Sequence, residues 1–322
     1  MNNEVLLGIQ NLHVHFPTKK GIVKAVDGVD LQVHRGETLG LVGESGCGKT
    51  QIALSIMGLL EYPGRIVEGK ILFKGEDLTQ KSPAEMRQLR GDRISMIFQD
   101  PTVTLNPVLR IGEQVEEVFR VHRGMNRKEA REKALEVLAL AGIPSPEERV
   151  GRYPFELSGG MQQRVIIAIA VALHPELLLA DEPTTALDVT IQAQIIRVLR
   201  NLKHERATTT ILITHDIGVI AELCETVAVI YAGSIVELAS LAVTLEQPKH
   251  PYTIGLIDSI PKLEPRGGTR LKPIPGVLVD PTDLPTGCKF HPRCQFVRPQ
   301  CHAMRPELKE IEPGHRVACF LY

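Results

Sequence analysis

Leu39-Gly-Leu-Val42, followed by Gly43-Glu-Ser-Gly-Cys-Gly48-Lys49-Thr50, is the stretch that decides the fold. A short apolar run with strand character ends at a glycine, and the next eight residues match G-x-x-x-x-G-K-[ST]. Glycines let the main chain wrap closely around a phosphate, with amide N–H groups turned inward. A helix expected over about residues 49–60 adds the positive end of its dipole. Lys49 is placed to reach β- and γ-phosphates, and Thr50 to ligate Mg²⁺. The candidate phosphate contacts are therefore Gly43, Glu44, Ser45, Gly46, Cys47, Gly48, Lys49 and Thr50.

A second element lies far downstream. Leu177-Leu-Leu-Ala-Asp181-Glu182 is a buried-type strand that ends in two carboxylates before Pro183. A carboxylate at a strand end beside a phosphate loop can hold Mg²⁺, directly or through water. The carboxylate after it is placed to orient and deprotonate an attacking water.

The chain has 322 residues, of which 43% are hydrophobic and 23% charged, so it can build a sizeable core. Lys+Arg total 37 and Asp+Glu 38, a net charge of −1. That balance argues against a chain held mainly by nucleic-acid phosphates or by an anionic membrane surface. No run of about 18 apolar residues occurs, so no segment is expected to span a bilayer. The start, MNNEVLLGIQ, lacks a basic n-region and a long apolar h-region, so no signal peptide is expected. A cytosolic setting, with thiols reduced, follows as the expectation.

Further strands are expected over 5–12, 93–98, 209–214 and 226–231, each rich in Val, Ile, Leu, Met or Phe. Helical spacing marks 126–141, and 158–173 has a Ser-Gly-Gly start and a long apolar continuation. Short apolar strands alternating with helices predict an α/β sheet covered on both faces. The stretch 100–173 has little strand character and reads as a helical insertion. Residues 251–322 hold 11 of the 22 prolines and four of the six cysteines, which predicts a loop-rich extension.

Chemistry alone leaves the tail cysteines open. Cys288, Cys294, Cys301 and Cys319 follow the spacing Cys-x5-Cys-x6-Cys-x17-Cys. Disulfides do not suit a reducing cytosol. Zinc favours closer pairs, although His291, His302 and His315 offer it alternative ligands. Four thiolates at long, irregular gaps also suit an iron–sulfur cluster. Cys224, in an apolar stretch, is expected in the core.

The run Leu157-Ser158-Gly159-Gly160-Met161-Gln162-Gln163-Arg164 resembles the signature of the ATP-binding subunits of ABC transporters. Gln99 resembles that family's Q-loop glutamine, Thr185-Ala-Leu-Asp188 its D-loop and His215 its switch histidine. The complete order, across residues 43–215, is far more specific than the phosphate loop alone. The resemblance implies a P-loop ABC ATPase domain over 1–250, with the helical subdomain at about 100–173, and an extension over 251–322. It further implies that Lys49, Thr50 and the loop amides hold ATP, that Thr50, Gln99 and Asp181 serve Mg²⁺, and that Glu182 is the catalytic base, with Gln99 and His215 completing the catalytic set. Ser158, Gly159, Gly160 and Gln162 would face ATP bound by a partner subunit, since a serine-capped, glycine-opened helix start favours anions. Cys47 stands where the family more usually has Ser and is expected to contribute its backbone N–H. Phe16 is the expected adenine-stacking residue, with His15 as the alternative.

Pro251-Tyr-Thr-Ile-Gly-Leu256, Ile260-Pro261, Pro273-Ile-Pro-Gly276 and the cysteine run resemble the C-terminal extension of D-type ATPases of dipeptide and oligopeptide importers. That resemblance implies a [4Fe–4S] cluster on Cys288, Cys294, Cys301 and Cys319, with zinc as the alternative. It implies peptide as the solute, with nickel and glutathione as alternatives. The implied partners are a second, homologous ATPase subunit forming a heterodimer, two transmembrane permease subunits and an extracytoplasmic peptide-binding protein, but no nucleic acid. The implied location is the cytoplasmic face of the cell membrane, held peripherally.

Overall fold

Long apolar runs and helical spacing become alternating strands and helices in the computed structural model, which describes residues 4–185, 188–206, 208–260 and 273–322. The chain divides into two units. One contains residues up to 6, 33–38 and 78–213, and the other 7–32, 39–77 and 214–322.

In the first unit, Ile94–Ile97, Leu177–Asp181 and Thr209–Thr214 lie side by side in parallel. Ile94–Ile97 and Leu177–Asp181 are buried at every position, as expected of strands covered on both faces. Between them in sequence come the helices Ile111–Arg123, Arg127–Leu140 and Gly159–Val171. Arg127–Leu140 starts where Asn126 Oδ1 accepts the N–H groups of Lys128 and Glu129, at 2.9 and 3.1 Å. Glu129 returns the contact to the Asn126 N–H at 3.1 Å, closing a capping box. The Arg131–Glu116 ion pair, 3.0 Å long, ties this helix to Ile111–Arg123.

The second unit carries two sheets. Thr38–Val42 runs parallel to Thr226–Tyr231, which pairs antiparallel with Ser234–Ser240. Ser234–Ser240 pairs in turn with His315–Val317, and that strand with Lys309–Glu312. The proline-rich extension thus adds two short strands to the sheet that carries the phosphate loop. The other sheet has the order Gly21–His34, Val5–Thr18, Arg65–Phe73, Glu76–Asp77.

Several boundaries differ from the sequence reading. The strand expected over 5–12 continues to Thr18, and Gly21–His34 and Arg65–Phe73 were not foreseen. Both of the latter are largely exposed or half-buried on alternate positions and carry glycine and charge, so no apolar run announces them. The first helix is Lys49–Met57, three residues shorter than expected. Gly58 ends it at φ 60°, with its N–H turned back to the last carbonyls. Glu237, fully buried, joins the extension to the sheet. Its carboxylate accepts the N–H groups of Lys249 and His250, each at 2.8 Å, and contacts His315 Nε2 at 2.7 Å.

Candidate functional site

The phosphate loop is shaped by close backbone approaches that only glycine permits. A Cβ on Gly43 would lie 2.2 Å from the Ile230 carbonyl oxygen, and one on Gly48 2.1 Å from that of Ala25. Gly48 also has φ +103°, where L side chains are strained. The Gly233 N–H donates to the Cys47 carbonyl at 2.9 Å and fixes the loop from below. Ser45 and Gly46 are exposed at the tip, while Cys47, Gly48 and Lys49 are buried. Lys49 Nζ donates to the carbonyls of Gly43 at 2.7 Å and Glu44 at 3.0 Å. Its ammonium is thus pinned at the mouth of the loop. Burial pushes the Cys47 thiol up, which keeps it neutral, against a nucleophilic role.

Not every loop amide is available to phosphate. The Glu44 N–H donates to Tyr252 Oη at 2.8 Å, and the Cys47 N–H to the Glu44 carbonyl at 3.3 Å. Phe16 is half-buried and packs on Gly64, where a Cβ would come within 2.3 Å of its ring. His15 is also half-buried; burial, then the charge of Lys24, lowers its pKa. His13, His15 and Asp27 form the set of His, Cys and carboxylate donors that closes to within 4.8 Å among the described residues. Asp27 already faces Lys289 at 2.8 Å and Arg305 at 3.1 Å. Two cations on that carboxylate disfavour a third. Against the cost of burial they hold its pKa at about 2, while burial lowers Lys289 to about 8. His215, at the end of its strand, is exposed.

In the other unit, Glu182 stands just beyond the buried strand Leu177–Asp181 at φ +46°, with its N–H on the Ile213 carbonyl at 2.8 Å. Its Oε2 accepts Thr185 Oγ1 at 2.6 Å and Gln99 Nε2 at 3.4 Å. Asp181 is 2% exposed and Glu182 9%. Gln99, Asp181, Glu182 and Thr185 therefore gather at one end of the parallel strands. A carboxylate there, held by a hydroxyl and an amide, has the geometry to orient a water.

Ser158 caps the helix Gly159–Val171, accepting the Met161 N–H at 3.4 Å, and it and Gly159 are exposed. A Cβ on Gly160 would meet Ile191 at 2.8 Å. Gln162 follows in the first turn of this helix. Its amide turns inward and donates to the carbonyls of Pro154 at 2.8 Å and Leu157 at 3.3 Å, so it braces its own segment. Asp188 accepts the Ile191 N–H at 3.0 Å and starts the helix Val189–Arg206, while Ala186 and Leu187 fall outside the described residues. Cys224 is 7% exposed, in the core as expected.

The four tail cysteines come together. Cys288, Cys294, Cys301 and Cys319 line one small pocket with His250, His291, Phe290, Phe296 and Phe320. Gly287 permits this, since a Cβ there would strike the Cys301 carbonyl at 2.3 Å. Backbone N–H groups of Phe296 and Arg298 donate to the sulfurs of Cys294 and Cys301, each at 3.4 Å. Burial raises the thiols of Cys294 and Cys319 and carries Cys288 to about 11. His302 and His315 are not in the lining, and His315 is taken by Glu237. Sequence reasoning missed Tyr252 and Arg293, whose side chains reach the phosphate loop from the extension with no local pattern to announce it. Arg293 places both terminal nitrogens on the Glu44 carboxylate.

Two family models match the chain, one described as ABC transporter over residues 26–185 and one as oligopeptide/dipeptide transporter, C-terminal region, over 236–301. A probable peptide ABC transporter ATP-binding protein, y4tR of Sinorhizobium fredii, is 48% identical, covering 98% of this chain and 95% of its own length. The dipeptide transport ATP-binding protein DppD of Bacillus subtilis is 47% identical, covering 99% of this chain and 95% of its own. Among solved structures, the dimeric post-hydrolysis state of the ATP-binding cassette MJ0796, bound to ADP and Pi, aligns with TM-score 0.67 and 31% identity. It covers 73% of this chain and 98% of that one.

Proposed function

The chain belongs to the ABC transporter family, as an ATP-hydrolysing subunit that energises peptide import, and from that premise we propose how its residues divide the work. Residues 1–250 form the ATPase domain and 251–322 the importer extension. The phosphate loop binds ATP: Lys49 and the free loop amides take its phosphates, and Phe16 stacks on adenine. Thr50, Gln99 and Asp181 supply the hard oxygen donors that suit Mg²⁺, whose charge would offset that of the phosphates. Glu182 orients and deprotonates the attacking water, Gln99 steadies its carboxylate, and His215 senses the γ-phosphate. The observation that carries this reading is the Glu182 carboxylate held by Thr185 at 2.6 Å and Gln99 at 3.4 Å.

The exposed Ser158-Gly159 helix start supports a second step, in which these residues meet ATP bound by a homologous ATPase subunit. Closure then follows from contacts that exist only with the γ-phosphate, and hydrolysis releases them. Asp188, in this scheme, lies at the seam. The further partners are two permease subunits and an extracytoplasmic peptide-binding protein, with the chain held peripherally at the cytoplasmic membrane face. No helix among the described residues is long and apolar enough to cross a membrane, which accords with permeases supplying the spans. Pull-down from membranes, solubilised in mild detergent, tests this: two permeases and a second ATPase are expected, and recovery of nucleic acid or ribosomes instead would contradict it.

Cys288, Cys294, Cys301 and Cys319 share one pocket, and four thiolates at long, irregular spacing suit a [4Fe–4S] cluster, with zinc as the alternative. Cys288, Cys294, Cys301 and Cys319 would hold the cluster, with backbone N–H groups steadying the sulfurs. Anaerobically purified protein is expected to be brown, with about four iron per chain. Colourless, zinc-loaded protein would overturn the assignment.

A further inference from the structure

Glu44 follows the first glycine of the phosphate loop, and the extension holds it at two points. Its N–H donates to Tyr252 Oη at 2.8 Å. Its carboxylate receives Arg293 Nη1 at 2.7 Å and Nη2 at 3.0 Å, a bidentate fork. Arg293 is itself fixed. Its Nε donates to the Pro275 carbonyl at 2.9 Å, and its guanidinium lies over the rings of Tyr231 and Phe290, at 5.8 and 5.9 Å. The Arg293 side chain is 4% exposed and that of Glu44 26%. The hydrogen bonds to Glu44 raise the Arg293 pKa above its ordinary value, so it stays charged.

The electrostatic problem at this loop is specific. The Glu44 carbonyl lies 3.0 Å from Lys49 Nζ, so the residue sits beside the loop's one pinned ammonium. A bare carboxylate there repels an incoming triphosphate and competes for that lysine. A buried guanidinium on the carboxylate cancels its charge and fixes its direction, and lysine cannot reproduce the fork.

We infer that Arg293, from the extension, is a positioning residue for ATP: it neutralises Glu44 and turns its carboxylate away from the nucleotide's phosphates and from Lys49. Tyr252 assists by anchoring the Glu44 backbone. Arg293 acts through Glu44, which takes both of its terminal nitrogens. The inference rests on the phosphate-loop reading above.

The test uses the full chain as parent, Arg293→Gln, Glu44→Gln, the double variant and Lys49→Ala. Fluorescent ATP and ADP analogues are titrated with Mg²⁺, and thermal unfolding is followed in parallel. Arg293→Gln should weaken ATP about tenfold and ADP less, because repulsion grows with phosphate charge. The double variant should return to within about threefold of the parent, since removing both partners removes the unpaired charge. Equal losses for ATP and ADP without recovery in the double variant, or unchanged affinity in Arg293→Gln, would overturn the inference. If Arg293→Gln does not fold, Glu44→Gln decides: ATP affinity should hold or tighten, and a loss refutes the proposal. Lys49→Ala separates the two readings, because unchanged ATP binding in that variant removes the phosphate-loop reading itself.

Discussion

Replacing Glu182 by Gln changes one oxygen to a nitrogen and leaves the volume unchanged. In the native side chain Oε2 accepts Thr185 Oγ1 at 2.6 Å and Gln99 Nε2 at 3.4 Å. The amide oxygen of Gln can keep the Thr185 contact, and the backbone of residue 182, at φ +46°, is equally strained in both forms. Stability should therefore move by less than about 1 kcal/mol. What is lost is basicity: an amide cannot take a proton from water. Removal of a general base lowers kcat by about 10²–10⁴, or roughly 3–5 kcal/mol of barrier at 1.36 kcal/mol per decade. ATP affinity should stay within about threefold, because the γ-phosphate is bound by other groups. Phosphate release under saturating Mg-ATP measures the first quantity, and fluorescent-nucleotide titration the second. Turnover within about threefold of the parent would remove Glu182 from the base role. A parallel collapse of affinity would show it to be a binding residue instead.

Other perturbations separate loop shape from charge. Gly48→Ala places a Cβ 2.1 Å from the Ala25 carbonyl at φ +103° and should cost about 2–4 kcal/mol with loss of ATP binding. Gly46→Ala, at φ +79° with open space around it, should cost only about 1 kcal/mol; calorimetry distinguishes the two. His250 is lowered to about 3 by burial, and its Nδ1 accepts the Tyr252 N–H at 3.1 Å. Between pH 6.5 and 3 the unfolded chain binds a proton there that the folded chain refuses. Stability from this group is complete above 6.5 and falls by up to about 1.4 kcal/mol per unit below it, and His250→Asn should flatten that slope in urea titrations. Asp27, held at about 2, contributes stability that is present above pH 4 and lost as pH falls through 2; Asp27→Asn should remove that acid limb.

The phosphate loop was legible because its chemistry is local: glycines, lysine and threonine at fixed spacing, between a fully buried strand and a helix. The strand Leu177–Asp181 announced itself in the same way, by an unbroken apolar run ending in charge. Ser158 was legible as a helix start because a short polar side chain satisfies free N–H groups within three residues, and the helix after Asn126 by its apolar spacing. The contact between Arg293 and Glu44 was not, because it joins residues 249 positions apart and depends on where the proline-rich extension folds. The inward turn of Gln162 was not legible for a related reason. Its place in the signature run says nothing of its rotamer, and the nearby carbonyls of Pro154 and Leu157 draw the amide inward. The strands Gly21–His34 and Arg65–Phe73 escaped notice because partners in the sheet, more than their own composition, make them strands. The cysteines gave their number and order, while the shared pocket depends on Gly287 and on the turn His291–Arg293.

Transport itself is the decisive observable. Proteoliposomes carrying this chain with the second ATPase, permeases and binding protein proposed above should accumulate labelled peptide when Mg-ATP is on the ATPase side, and Lys49→Ala in this chain should cut that uptake at least tenfold. Peptide uptake that continues undiminished in the Lys49→Ala assembly, or ATP turnover that moves no peptide in the parent assembly, would contradict the assignment of this subunit as the source of energy for import.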